Sequence, residues 1–229
     1  MNADVLKVHA DNWAPYNYVE NDRIVGISTE LVEATLMRAN IPYELVVMPW
    51  KRGYRETQTR KNSLLFTVNR TKRREALFKW VGPLFESQVY LHRLKSRDDI
   101  TVTNLDDVKD YRVGILRGGS VQGYLDAHGF SEENYYLSSK ADLLLKILFA
   151  DRVDLIPGDR LDLAYQLNQS GRHYSDLEKA LFLYGGSYYI AVNKDTSDEI
   201  VEQLQTALNE LVSEGMQDQL INKYLSLQE

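Results

Sequence analysis

The stretch LLFTVNRTKRREALFKWVGP, residues 64–83, passes from an apolar run through a basic segment into a second apolar run. The short run LLFTV, bounded by polar residues, reads as a buried strand. Four of the five residues from Arg70 to Arg74 are cationic, in a chain of formal net charge −6. Three readings of that concentration are open: a nucleic-acid groove, a solvated helix end, and a clamp for a small anion. The surrounding sequence has to decide between them.

On both sides of this stretch, strand and helix patterns alternate. VLKVHA (5–10) reads as a strand. After Gly26, ISTELVEATLMRAN places apolar residues at Ile27, Leu31, Ala34 and Met37 or Leu36, the spacing of an amphipathic helix, which Asn40 and Pro42 end. YELVVM reads as a strand, 50–60 as a helix, and FKWV and SQVYLHRL as two extended segments. Beyond the polar stretch KSRDDITVT (95–103) a second series begins. TNLDDV carries a capping box between Thr103 and Asp106. YRVGIL, YYL, VDLIP and GSYYIAVN read as strands, and 120–128, the well-capped SSKADLLLKILFA and 159–170 as helices. Two closing helices, 197–213 and 216–225, part at Gly215. Two such series predict two doubly wound α/β lobes. Sheets of this kind bind ligands at the carboxyl ends of their strands, where loops and helix N-termini converge. That singles out the loops 11–18, 68–74, 117–119 and 157–160.

Composition removes several function classes. With 229 residues, 44% apolar and 26% charged, the chain can bury a sizeable core and does not read as disordered. No run approaches the ~18 apolar residues of a membrane span; LLLKILFA (143–150), interrupted by Lys146, reads as a buried helix. A sequence pI of about 5.3 and a single short basic loop argue against a nucleic-acid partner. Without cysteine there are no disulfides and no thiol chemistry. The four histidines (His9, His92, His128, His173) stand apart from one another and read as packing or surface residues, so no metal and no cofactor is expected. There is no GxxxxGK[ST] and no GxGxxG, and RGGSVQG (117–123) lacks the GxSxG of a nucleophile elbow. Nothing in the sequence demands catalysis. MNADVLKVHA has no basic start followed by an apolar leader, so an exported protein would be represented here in its mature form.

In order and spacing, five segments together resemble the extracytoplasmic solute-binding proteins, family 3, that serve ABC importers of polar amino acids. They are DNWAPYNYVENDRIVGISTELVEA (11–34), PWKRGY (49–54), NRTKRREALFKWVGP (69–83), DRVDLIPGDR (151–160) and EGMQDQLINKYL (214–225). The resemblance runs nearly end to end. It implies the type II periplasmic binding protein fold, with lobe 1 formed by 1–92 and 190–229 and lobe 2 by 93–189. Two crossings, near 92–95 and 188–193, would act as a hinge that closes over a ligand held between the lobes.

The resemblance also assigns the basic loop. The second arginine of the family's RT-x-x-RE segment grips the ligand's α-carboxylate, and the matching residue is Arg74. A guanidinium can donate two parallel hydrogen bonds to a carboxylate, which favours arginine over lysine. The competing reading is a surface ion pair with Glu75 or another nearby acid. Backbone donors near Thr67 and Asn69 would complete the carboxylate site. Asp159 matches the carboxylate that meets the α-ammonium, against a plain helix-capping role. Asp11, at the end of the first strand, would contact the ligand's amino group or side chain, or form an Asx turn. Trp13, Tyr16 and Trp50 would line the pocket or belong to the core. Gly118, Gly119 and Ser120 would offer N–H donors or form a tight turn. Asp154 reads as structural.

Lys72-Arg73 replaces the family's usual proline-glutamate, and KNSLLF lacks its usual aspartate. With Arg117 and Arg160 in the second half, the added positive charge keeps a dicarboxylate or other anion open as the ligand. The resemblance therefore implies a periplasmic, monomeric binding protein that delivers a small carboxylate-bearing ligand, an amino acid, to an ABC permease. Two alternatives stand beside it: an enzyme of the same fold, of the cyclohexadienyl dehydratase kind, and a sensory ligand-binding domain.

Overall fold

The computed structural model describes residues 5–226. In chain order its elements are β1 (Leu6–Ala10), β2 (Tyr18–Glu20), β3 (Arg23–Val25), α1 (Ile27–Arg38), β4 (Tyr43–Val47), α2 (Trp50–Thr59), β5 (Ser63–Asn69), α3 (Lys72–Glu75) and β6 (Lys79–Leu94). There follow β7 (Val113–Leu116), α4 (Ser120–Asp126), β8 (Tyr135–Ser138), α5 (Ala141–Phe149), β9 (Ile156–Gly158), α6 (Arg160–Asn168), β10 (Leu177–Val192), α7 (Asp198–Ser213) and α8 (Met216–Ser226). Among the described residues they form two compact units, 5–87 with 186–226, and 88–185. The chain passes from one unit to the other within β6 and again within β10. The lobe edges expected after 92 and after 189 lie further along the same two strands.

In the first unit the strands run in the order β4-β1-β5-β10. β1 is parallel to both β4 and β5, and the Tyr188–Val192 end of β10 is antiparallel to β5. Six of the seven residues of β5 are buried, which explains its continuous apolar run: a parallel strand covered on both faces has no solvent side to alternate with. α1 buries Ile27, Leu31 and Leu36 completely, and packs on β5, α7 and α8. Gly26 ahead of it has φ +127°, and a Cβ there would sit 2.3 Å from the Tyr16 carbonyl oxygen, so only glycine fits. The hairpin β2–β3 was not expected. Its two-residue loop, Asn21-Asp22, has φ of 49° and 59°, the left-handed values a tight hairpin needs and these two residue types tolerate.

In the second unit β7 pairs in parallel with β8, and β9 runs antiparallel to β6 between Tyr90 and His92. Leu144, Leu148, Val153, Leu163 and Leu167 form one core cluster; Val108, Ile115, Leu125 and Leu155 belong to another. The expected segments FKWV and SQVYLHRL are one strand, β6. Two caps differ from expectation. Thr103 donates its N–H and its hydroxyl to Asp107, at 2.8 and 2.7 Å, instead of pairing with Asp106. Helix α5 starts after Lys140 without a side-chain cap, because the Ser138 hydroxyl turns to the Lys140 backbone.

Candidate functional site

The loop that follows β1 carries Asp11, Trp13, Tyr16 and Asn17. Trp13 and Asn17 exchange backbone hydrogen bonds, which folds the loop back on itself. Asn17, with no exposed surface, is the centre of a polar chain. Its amide donates to the Asp11 backbone oxygen at 2.9 Å and to Asp11 Oδ1 at 2.6 Å, and its Oδ1 accepts from the Thr67 hydroxyl at 2.7 Å. Thr67, near the end of β5, is buried and has φ +58°. For a β-branched residue that is a strained backbone, a condition that concentrates at functional sites.

Burial pushes the Asp11 carboxyl above its usual range, and the Asn17 hydrogen bond offsets this only in part. Among the described residues no lysine or arginine forms an ion pair with it. Asp11 is therefore an under-compensated anion, suited to a cationic partner.

Trp13, Tyr16 and Tyr188 form a triangle of rings with centroids 4.6 to 5.6 Å apart. Tyr16 and Tyr188 are buried, so two sides of the triangle belong to the core; the half-buried Trp13 offers the accessible face.

The basic loop lies along a second group of rings. Trp50 stacks on Tyr54 at 4.8 Å, and the contacts continue through Phe78 to Trp80 and Tyr189. An arginine lies over each end. Arg74 sits 5.1 Å from the Trp50 ring and 5.6 Å from Tyr54, and donates to the Asn69 backbone oxygen at 3.1 Å. Arg70 lies over Trp80 and Tyr189 and forms a bidentate pair with Glu75, at 2.8 and 2.6 Å. The anticipated competitor for Arg74 thus has another partner. Among the described residues Arg74 has no carboxylate within ion-pair distance. It is half-buried, while Lys72 and Arg73 are exposed.

The candidates of the second unit are engaged differently. Asp159 caps α6, accepting from the Asp162 N–H at 2.9 Å, so the capping reading is realised. Asp162 accepts from Gln166 at 2.8 Å, and its carboxyl is pushed up by burial and by the Asp159 charge. In the glycine-rich turn, the Gly118 N–H donates to Gln122 at 2.7 Å and the Gly119 N–H to the Leu116 oxygen at 3.1 Å. The two glycine N–H donors are thus satisfied inside the turn, which leads into the seven residues, about two turns, of α4. Ser120 is exposed and its hydroxyl bonds Tyr184 at 2.9 Å; Arg117 is exposed, with its N–H on the Ser138 oxygen. Asp154 is structural: it receives four hydrogen bonds from Arg112 and Arg97.

Asn17, Tyr54 and Tyr188 were not foreseen as parts of these clusters. Tyr54 was within reach, since it follows Trp50 by four residues on a helix and must share its face. Tyr188 gave no local signal, because its ring partners Trp13 and Tyr16 are distant in sequence, and the burial of Asn17 depends in the same way on the distant Thr67.

The family described as "Bacterial extracellular solute-binding proteins, family 3" matches residues 6–227. The chain is 21% identical over 218 residues to a "Probable histidine-binding protein" of Campylobacter jejuni, covering 94% of this chain and 82% of the relative. It is 22% identical over 226 residues to the "Probable amino-acid-binding protein YxeM" of Bacillus subtilis, covering 97% and 84%. Among solved structures, a histidine kinase sensor domain with similarity to periplasmic binding proteins matches with TM-score 0.78 at 18% identity, over 97% of this chain and 96% of that one. An ancestral arginine-binding protein bound to arginine matches with TM-score 0.73 at 21% identity, over 96% and 97%. At these identities the likeness speaks for the fold, which is that of the type II periplasmic binding proteins.

Proposed function

The chain belongs to the bacterial extracellular solute-binding proteins of family 3, and from that premise we propose that it captures an amino acid outside the cytoplasm for an ABC importer. The observation that carries this reading is Arg74, a half-buried guanidinium held by the Asn69 carbonyl and the Trp50–Tyr54 rings, with no acid of its own among the described residues. A cation kept in place without a counter-charge is a preorganised receptor for a carboxylate, since its geometry is fixed before the ligand arrives. Backbone donors near Thr67 and Asn69 are proposed to complete the carboxylate site.

Asp11, braced by Asn17, is the counterpart for a positive group, which makes an α-ammonium or a basic side chain the partner that suits it best. Trp13 supplies a ring face for the ligand's stem. In the second unit Asp159 is proposed to add a contact to the ammonium, and Ser120 and Arg117 to the polar end. The names of the relatives, histidine- and arginine-binding, favour a basic amino acid over a dicarboxylate. The protein would act as a periplasmic monomer handing its ligand to the permease.

The test is isothermal calorimetry and thermal shift with the twenty amino acids, succinate and malate. Binding of a basic amino acid that disappears in Arg74→Ala supports the reading. Binding that survives this change unaltered removes it. A second reading, a sensory ligand-binding domain, rests on the sensor-domain likeness and would be favoured by ligand binding without stimulation of any importer. Turnover of a prephenate-like substrate would replace both with an enzyme.

A further inference from the structure

Two arginines of the basic loop, Arg70 and Arg74, lie on one run of aromatic rings and differ in their counter-charge. Arg70 has a carboxylate and Arg74 has none among the described residues. The carboxylate that could serve either is Glu75, the neighbour of Arg74 in sequence and exposed on the one-turn helix α3. Several contacts hold it on the Arg70 side. Arg70 Nε and Nη2 bond its two oxygens at 2.8 and 2.6 Å. The Trp80 indole donates to the Glu75 backbone oxygen at 3.3 Å, and the Trp80 ring lies beneath the Arg70 guanidinium. Tyr189 supports the same guanidinium from 5.3 Å. The pair is mutually reinforcing, for Arg70 holds the Glu75 carboxyl below its usual range.

We propose that Arg70 is a positioning residue that sequesters Glu75, and so keeps Arg74 available to an incoming carboxylate. This rests on the carboxylate reading of Arg74 given above. Released from Arg70, the Glu75 carboxylate would stand one residue from Arg74. It would pair with it directly or lower the local positive potential that draws an anion in. A bidentate pair over two rings is the arrangement in which an exposed ion pair is well ordered rather than incidental.

The discriminating experiment compares Arg70→Gln with the double variant Arg70→Gln/Glu75→Gln. If the pair acts only as a structural tie, removing both partners is at least as harmful as removing one. If Arg70 sequesters Glu75, the double variant recovers what the single one loses. The readout is the Arg74 Nε–H resonance of the full chain, assigned by its loss in Arg74→Lys, first without ligand and then titrated with acetate at low salt. In the wild type the Trp50 and Tyr54 rings are expected to shift that resonance upfield.

Arg70→Gln is expected to move the resonance and to weaken acetate binding about threefold to fivefold, the range of an exposed ion pair. The double variant is expected to return both close to wild type. Two results overturn the proposal: an unchanged Arg74 resonance in Arg70→Gln, or a double variant as displaced as the single one. If acetate fails to move the Arg74 resonance even in the wild type, the carboxylate reading fails. The sequestration of Glu75 is then decided by the ligand-free resonance alone.

Discussion

The two units hold their candidate site residues in opposite ways. In the first, Arg74 and Asp11 are half-buried, held in place by neutral groups, and without an opposite charge among the described residues. In the second, Asp154 is wrapped by two arginines, Asp159 caps a helix, and the N–H groups of Gly118 and Gly119 are bonded within their own turn. A group that is fixed and still lacks a counter-charge is prepared for a ligand; one that is fully partnered mainly supports its own fold. By that measure the first unit is where the proposed function places its primary contacts.

The sharpest attack on this comparison pairs Arg74→Ala with Arg117→Ala. Losing the charge-assisted bonds of Arg74 is expected to weaken binding of the ligand found in the screen about 30- to 100-fold, equivalent to ~2–3 kcal/mol. Arg117 is exposed and screened, so its loss should cost about threefold or less. Calorimetry on both variants measures the ratio, and equal losses would erase the distinction between the units.

Next in size is Asp154→Asn, expected to lower the unfolding free energy by ~2–3 kcal/mol at pH 7, since hydrogen bonds from charged donors are lost. Its pH signature follows from linkage. Burial opposes the charge of Asp154, but the bonds from Arg112 and Arg97 outweigh this and hold its pKa below the ordinary 3.8. A depressed folded pKa contributes stability that is present above 3.8 and lost as pH falls through the folded value. Urea unfolding below pH 4 should therefore show a shallower acid limb in the variant.

Asp11 has the reverse sign. Its raised pKa favours the protonated form, so its contribution is lost as pH rises through the folded value. Asp11→Asn should leave the ligand-free protein at least as stable at pH 7 while weakening binding of amine-bearing ligands. A large drop in melting temperature would show Asp11 to be structural. Asn17→Ala should cost about 1–3 kcal/mol, because it strands the Asp11 and Thr67 polar groups in a buried place. The smallest effect belongs to Ser120→Ala, which removes one exposed hydrogen bond to Tyr184 and should change stability by less than about 0.5 kcal/mol.

How far the sequence could be read depended on the range of the interactions involved. Helix α1 and strand β5 were legible because their apolar spacing is set by which faces are covered. Gly26 marked the entry to α1 because only glycine tolerates its backbone there. The capping box went astray by one residue, since Thr103 could reach either Asp106 or Asp107 and the local turn chose the latter. The hairpin β2–β3 was overlooked because its strands have three residues each, too few for alternation to register.

At the site, the RTKRRE segment named the arginine but not its environment. Glu75 was a plausible partner for Arg74 in sequence. Trp80 and Tyr189, the latter more than a hundred residues away, help hold it beside Arg70 instead. Likewise the glycines of RGGS could be ligand donors or a tight turn by sequence, and it is Gln122 and the Leu116 carbonyl that take their N–H groups.

The sequence alone determined the alternation of elements, the family and the candidate residues for a small ligand, because periodicity and side-chain chemistry are local properties. Only the tertiary structure decided which charges are matched and which are left open. That depends on the Arg70–Glu75 pair, the ring support beneath both arginines and the burial of Asn17. The Asn17–Thr67 bond joins segments that meet only when the chain is folded, and the Arg70–Glu75 pair, though five residues apart, rests on a ring from such a segment, Tyr189; all draw on desolvation and distance, which no linear pattern records.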